Sequence, residues 1–161
     1  MDVLQLIREA LSDKYIATIL GADANNLRYS ELRHITDVDE LLTKDPDYCI
    51  RNQAWWGIWA ALSKYNGMYE HFDSYGAKPD KSPEWVNLKM RQRMNDALPY
   101  LTNLLKNKQY IYNHVKYQDR DGYVNTCGSH VVHRLHRLKN DGVGLQTYYK
   151  IHAACSLSEA I

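Results

Sequence analysis

The sequence predicts an α+β fold: a small mixed central sheet flanked by helices. Three observations lead there. Apolar residues recur at helical spacing near both ends of the chain. The middle carries strand-like segments on either side of Asn66-Gly67, the strongest short hairpin signal. A length of 161 residues, 45% apolar and 24% charged, is the ordinary balance of one globular domain.

The elements follow in order. Residues 2–11 read as a helix, with Asp2 as cap and Leu4, Ile7 and Leu11 on one face. Gly21 to Asn26 is a turn-rich break. Thr36 to Leu42 is a short capped helix, ended by Asp45-Pro46-Asp47. Tyr48-Cys49-Ile50 is a short strand. Trp55 to Leu62 is the first arm of the hairpin, and Met68 to Asp73 returns as the second. Ser74 to Asp80 is loop. Ser82-Pro83-Glu84 starts a helix, with Ser at the cap and Pro at the first position. That helix carries Trp85 and Leu88 and breaks near Pro99; a second piece carries Leu101, Leu104 and Leu105. Tyr110 to Tyr117 alternates like a strand. A helix runs from Cys127 to Lys139, and after Gly142 and Gly144 a last one covers 146–154. Residues 1–47 thus form a helical N-terminal part, 48–140 the central stretch and 141–161 a C-terminal helix, all in a single domain.

Composition excludes several function classes. Lys plus Arg is 20 and Asp plus Glu is 19, a net charge of +1 with no global pull towards nucleic acid or anionic membrane. The longest uncharged apolar run, Ala54 to Ser63, is too short for a membrane span. The N-terminal residues carry charges where a signal peptide is apolar. Cysteines number three, with no Cys-x-x-Cys, which fits a reducing compartment and leaves room for a working thiol. A soluble protein kept inside a cell is expected.

Four features could carry chemistry. Cys127 stands at the start of a helix, where the dipole lowers a thiol pKa and favours the nucleophilic thiolate; a small buried cysteine is an equally weighted reading. Gly128 beside it lets a substrate backbone approach closely. Asp73 ends a strand beside a turn, placed to orient an imidazole or to bond its own turn. Gln118 ends the strand upstream of Cys127 and could donate to an oxyanion. His130, His133 and His136 follow at intervals of three, but each step slips back about 60° around the helix, which argues against a metal site. With Arg134, Arg137 and Lys139 they read as a basic, solvated face, with weak nucleic-acid contact the lesser alternative.

Three segments together resemble the adenovirus-type (adenain-like) viral maturation cysteine proteases, relatives of the SUMO-specific proteases, and most of all those of virophages and Polinton-type transposons. They are Ala54-Trp55-Trp56-Gly57-Ile58-Trp59, Tyr69 to Asp80 with its core Phe72-Asp73-Ser74-Tyr75-Gly76, and Tyr117-Gln118 with Asn125-Thr126-Cys127-Gly128. The family order is His-Trp, then Phe-Asp-Ser-x-Gly, then Gln, then Thr-Cys-Gly. The resemblance covers about 48 to 140. It implies a single cysteine-protease domain with Cys127 as nucleophile at a helix N-terminus, Asp73 as the orienting acid and Gln118 as oxyanion donor. Trp55 and Trp56 would line or support the cleft. No metal or organic cofactor is implied.

Two departures stand out. Ala54 occupies the position of the family's general base, and the Gln118 to Cys127 gap is long, with Gln109 a poorer substitute. Ala54 reads as a deliberate His→Ala change in preference to a natural loss, because decay has no reason to spare Cys127, Asp73 and Gln118. His71 as a relocated base would share one strand face with Asp73, a poor relay. The implied parent function is an endopeptidase cutting capsid precursor polypeptides in the virion and host-cell interior, with the present chain inactive. The alternatives are an isopeptidase acting on ubiquitin-like tails and a pseudoprotease that binds a protein partner.

Overall fold

The computed structural model describes residues 18–19, 25–42, 47–52, 58–85, 87–118 and 127–149. Five strands form one sheet in the order β1 (Asn25–Arg28), β2 (Asp47–Asn52), β3 (Ile58–Tyr65), β4 (Met68–Asp73) and β5 (Tyr110–Tyr112). The outer pairs, β1 with β2 and β4 with β5, are parallel; the inner pairs are antiparallel. The helices are α1 (Leu88–Arg93), α2 (Tyr100–Leu105) and α3 (Cys127–Asp141), and 145–149 are helical again. The expected α+β class and mixed sheet are what the chain adopts.

The β3–β4 hairpin explains the rest. Asn66 and Gly67 both take positive φ, +49° and +76°, the mirror-image turn that matches strand twist. Their turn sets the register Tyr65 opposite Met68, Ala61 opposite Phe72 and Ala60 opposite Asp73. Alternation then sorts the side chains onto two faces. Trp59, Ala61 and Phe72 pack with Val131, Val132 and Leu135 of α3 and with Leu145 and Tyr148. On the other face Leu62 and Tyr69 pack with Tyr29, Leu32, Val38, Leu41, Leu101 and Leu105. The sheet is therefore covered on both sides.

Several expectations need correction. Asn25 and Asn26 belong to β1 rather than to a turn-rich break; parallel pairing to Tyr48 and Cys49 overrides their poor strand propensity. The Tyr29–His34 3-10 turn and its buried Tyr29 and Leu32 were not foreseen. Within the expected capped helix over Thr36–Leu42, Asp37 is the cap, accepting from the Asp39 N–H at 2.9 Å, but the helical turn is 3-10 and spans Val38–Glu40. The helix from Ser82 is two short pieces, Ser82–Trp85 and Leu88–Arg93. The strand expected over 110–117 stops at Tyr112. The helix expected over 2–11, the Asp45-Pro46 turn, residues 54–57, Asn125-Thr126, Cys155 and the end of the last helix lie outside the described residues.

The basic outer face is also corrected. Arg134 is 1% exposed. Its guanidinium bonds the Glu70 carboxylate in β4, donates to the Val143 carbonyl at 2.7 Å and lies over the Tyr148 ring. His133 Nδ1 meets the Tyr148 hydroxyl at 2.8 Å, and burial pushes the His130 imidazole down to about 4. Of this group, only His136 and Lys139 are exposed. A guanidinium needed inside to neutralise Glu70 is unavailable to a nucleic acid.

Candidate functional site

Position 127 is the first residue of α3, as expected, but its thiol is inside. Cys127 is 1% exposed, and its Sγ accepts the Trp59 backbone N–H at 3.2 Å. Burial pushes the thiol up from 9.0 to about 11, and the charge of Asp73 adds to the rise. The N–H groups of Trp59, Gly128 and Cys127 itself pull the other way and lose. The lowered pKa expected from the helix start alone is thus overturned: desolvation outweighs the dipole and three amides.

Asp73 ends β4 and is likewise buried. One carboxylate oxygen accepts the Tyr75 N–H at 2.8 Å, and the other accepts the Ser82 hydroxyl. Burial raises the carboxyl from 3.8 to about 6 against both bonds. The Asp73-to-Gly76 turn closes through the Gly76 N–H on the Asp73 carbonyl at 2.9 Å. Gly76 has φ +74°, and a Cβ there would sit 3.2 Å from the Val115 carbonyl oxygen. Phe72, Asp73 and Gly76 thus each have a local cause: a core ring, a turn acceptor and a close approach.

Gln118 reaches the same corner. Its side-chain amide donates to the Ser74 hydroxyl, and the N–H groups of Tyr117 and Gln118 bond the Ser74 carbonyl at 2.8 and 3.2 Å. Gln118 is not a strand end, because the chain leaves the ladder after Tyr112. Asn113 is the reason. Its side chain, 0% exposed, accepts the Asp73 N–H at 2.7 Å and donates to the Asp73 and Val115 carbonyls. A side-chain amide replaces the next ladder rung and steers 113–118 under the Asp73 turn.

The structure therefore joins Gln118 to the Asp73-Ser74 turn by hydrogen bonds, and couples Asp73 to Cys127 electrostatically. Gly128 follows Cys127 and is buried. Ala54, Trp55 and Trp56 lie outside the described residues. Three contributors were missed in the sequence: Ser82, read as a helix cap; Asn113, read as a strand residue; and Trp59, read only as apolar. No local pattern marks them, since each acts on a residue 9 to 68 positions away. His71 is 2% exposed, with its Nδ1 lacking a hydrogen-bond partner, and burial pushes it down to about 4. Among the described residues, no His/Cys/Asp/Glu group gathers as metal ligands, and no helix is long and apolar enough to cross a membrane.

No family model matches the chain. The central domain of the uncharacterized Lpg1148 protein from Legionella pneumophila is similar over 87% of this chain and 82% of that one, at 16% identity and TM-score 0.41. So low a TM-score fixes neither fold nor function. The uncharacterized protein V9 of Sputnik virophage is 33% identical over 132 residues, 78% of this chain and 75% of that protein. At that identity and coverage, the chain belongs to the same family as this virophage protein.

Proposed function

We propose that this chain has the site of a cysteine endopeptidase that processes viral capsid precursor polypeptides, and that it is inert as written because the base is missing. The observation that carries the reading is the meeting of Cys127 at the start of α3 with the Asp73 turn, which also holds Gln118. The virophage relative supports the viral setting. The capsid substrate comes from the resemblance of the motifs.

The chemistry needs one imidazole more. That imidazole takes the Cys127 proton, and Asp73 holds its tautomer. The thiolate attacks the scissile carbonyl carbon, and the oxyanion is met by the Cys127 N–H and the Gln118 amide. Collapse breaks the C–N bond, and the imidazolium returns its proton to the leaving amine. Water then hydrolyses the thioester and frees the thiol. Without the imidazole a thiol near 11 stays protonated at neutral pH, and the leaving amine has no acid.

The test supplies an imidazole at the base position and follows capsid-precursor fragments, with Cys127→Ala in the same background as control. Loss of the base should cost about 10⁴ in turnover, the lower end for catalytic sets, since cysteine is the more forgiving nucleophile. Cleavage that survives Cys127→Ala would sink the proposal. A Gly-Gly tail substrate cut in place of the precursor would favour the isopeptidase. The buried, protonated thiol favours one second reading, a pseudoprotease that holds its partner without cutting. Tight precursor binding with no cleavage, once an imidazole is present, would establish it.

A further inference from the structure

We infer that the vacant base position is held by Ile58 rather than by Ala54, so that an isoleucine on β3 keeps Cys127 idle. The inference rests on the protease reading above and changes which residue makes the chain inert. It comes from backbone geometry. The Trp59 N–H donates to Cys127 Sγ at 3.2 Å. The Cα of residue 58 is joined to that nitrogen through one carbonyl carbon, a span of about 2.4 Å. Position 58 therefore has its Cα within about 5.6 Å of the sulfur.

The same position faces the acid. Ala60 pairs directly with Asp73. Alternate residues of a strand share a face, so position 58 lies on the face of Ala60. It is the diagonal neighbour of Asp73, at about 7–8 Å, a separation that a long or aromatic side chain spans. The backbone of position 58 is thus close to the thiol through the chain, and lies two residues beyond the last β3–β4 pair, Ala60 opposite Asp73.

The sequence permits this register as readily as the other. A residue directly before a tryptophan occurs at Ala54-Trp55 and again at Ile58-Trp59. The second of these tryptophans, Trp59, belongs to the core packed around Cys127, at 4% exposed. Ala54 then needs no engineered origin. Isoleucine offers no lone pair to take a proton.

The full chain is tested in three forms: as written, Ile58→His and Ala54→His. The first readout is the pH profile of iodoacetamide alkylation at Cys127, mapped by mass spectrometry. The expected result is an onset moved from high pH to near neutrality in Ile58→His alone, with labelling at pH 7 raised at least about tenfold. The second readout is precursor cleavage, again in Ile58→His alone. Because a polar residue at 58 can unfold the hairpin, Ile58→Cys and Ala54→Cys provide a separate check. Mild oxidation should form a 58–127 disulfide, since the position-58 Cα lies within the about 7 Å that bridged Cα atoms require, and a 54–127 bridge in its place would count against the inference. Activation or bridging through position 54, with none through 58, overturns the inference and leaves the protease reading intact. Bridging at 58 with no activation or cleavage by either folded His variant overturns both.

Discussion

Replacing Asp73 by asparagine should stabilise the fold at neutral pH. Asp73 is 1% exposed and receives bonds from the Tyr75 N–H and the Ser82 hydroxyl. Both favour the ionised carboxylate, yet burial wins and the carboxyl rises from 3.8 to about 6. At about 1.4 kcal/mol for each tenfold displacement, the ionised carboxylate costs the fold on the order of 3 kcal/mol above pH 6. A raised folded pKa gives stability that is whole below 3.8 and lost as pH climbs through about 6. Asp73→Asn keeps an acceptor for Tyr75, and the Ser82 hydroxyl can turn to accept the new amide. Urea unfolding at pH 7.5 should find Asp73→Asn more stable than the parent by up to about 3 kcal/mol, and near parity at pH 4. The histidines titrate in both proteins and cancel in the difference. A variant that is weaker than the parent at pH 7.5 by more than at pH 4 would refute the reasoning.

Other outcomes are expected. Arg134→Met leaves the Glu70 carboxylate buried without its cation and should cost about 3–5 kcal/mol in urea unfolding; Glu70→Met with Arg134→Met should recover most of it, and additivity of the two single changes would contradict this. Gly76→Ala forces a Cβ at φ +74° to within 3.2 Å of the Val115 oxygen, so it should cost about 1–3 kcal/mol and lower Tm; a Tm equal to the parent's would count against the turn geometry. Burial depresses His71 from 6.5 to about 4, so its contribution is whole above 6.5 and lost as pH falls through about 4. His71→Gln should flatten the acid limb of a stability–pH curve, and an unchanged limb would refute it.

Much of the fold was legible because its signals are local. Asn66-Gly67 fixes a turn by two positive φ angles, and that turn carries the whole β3–β4 register with it. Asp37 caps its turn with an oxygen two residues away. Cys127 opens α3 at the residue expected, and the apolar face of that helix, Val131, Val132, Leu135 and Leu138, is the buried one. These follow from backbone sterics and hydrophobic spacing, which act within a few residues.

The candidate site was legible only as residue types. The sequence by itself determined that a cysteine would open a helix and that an acid would end a strand. Tertiary structure decided what each group is. It put the thiol under Trp59, so that desolvation overrode the helix dipole. It drew Arg134 inside to meet Glu70, 64 residues away, and so removed that arginine from the basic face that spacing alone predicted. It ended β5 at Tyr112 because the Asn113 amide prefers the Asp73 backbone. And it set Ala60 opposite Asp73 while putting the neighbouring Trp59 N–H on the Cys127 sulfur. Charge state, burial and adjacency depend on atoms supplied from distant parts of the chain, and no window of local sequence contains them.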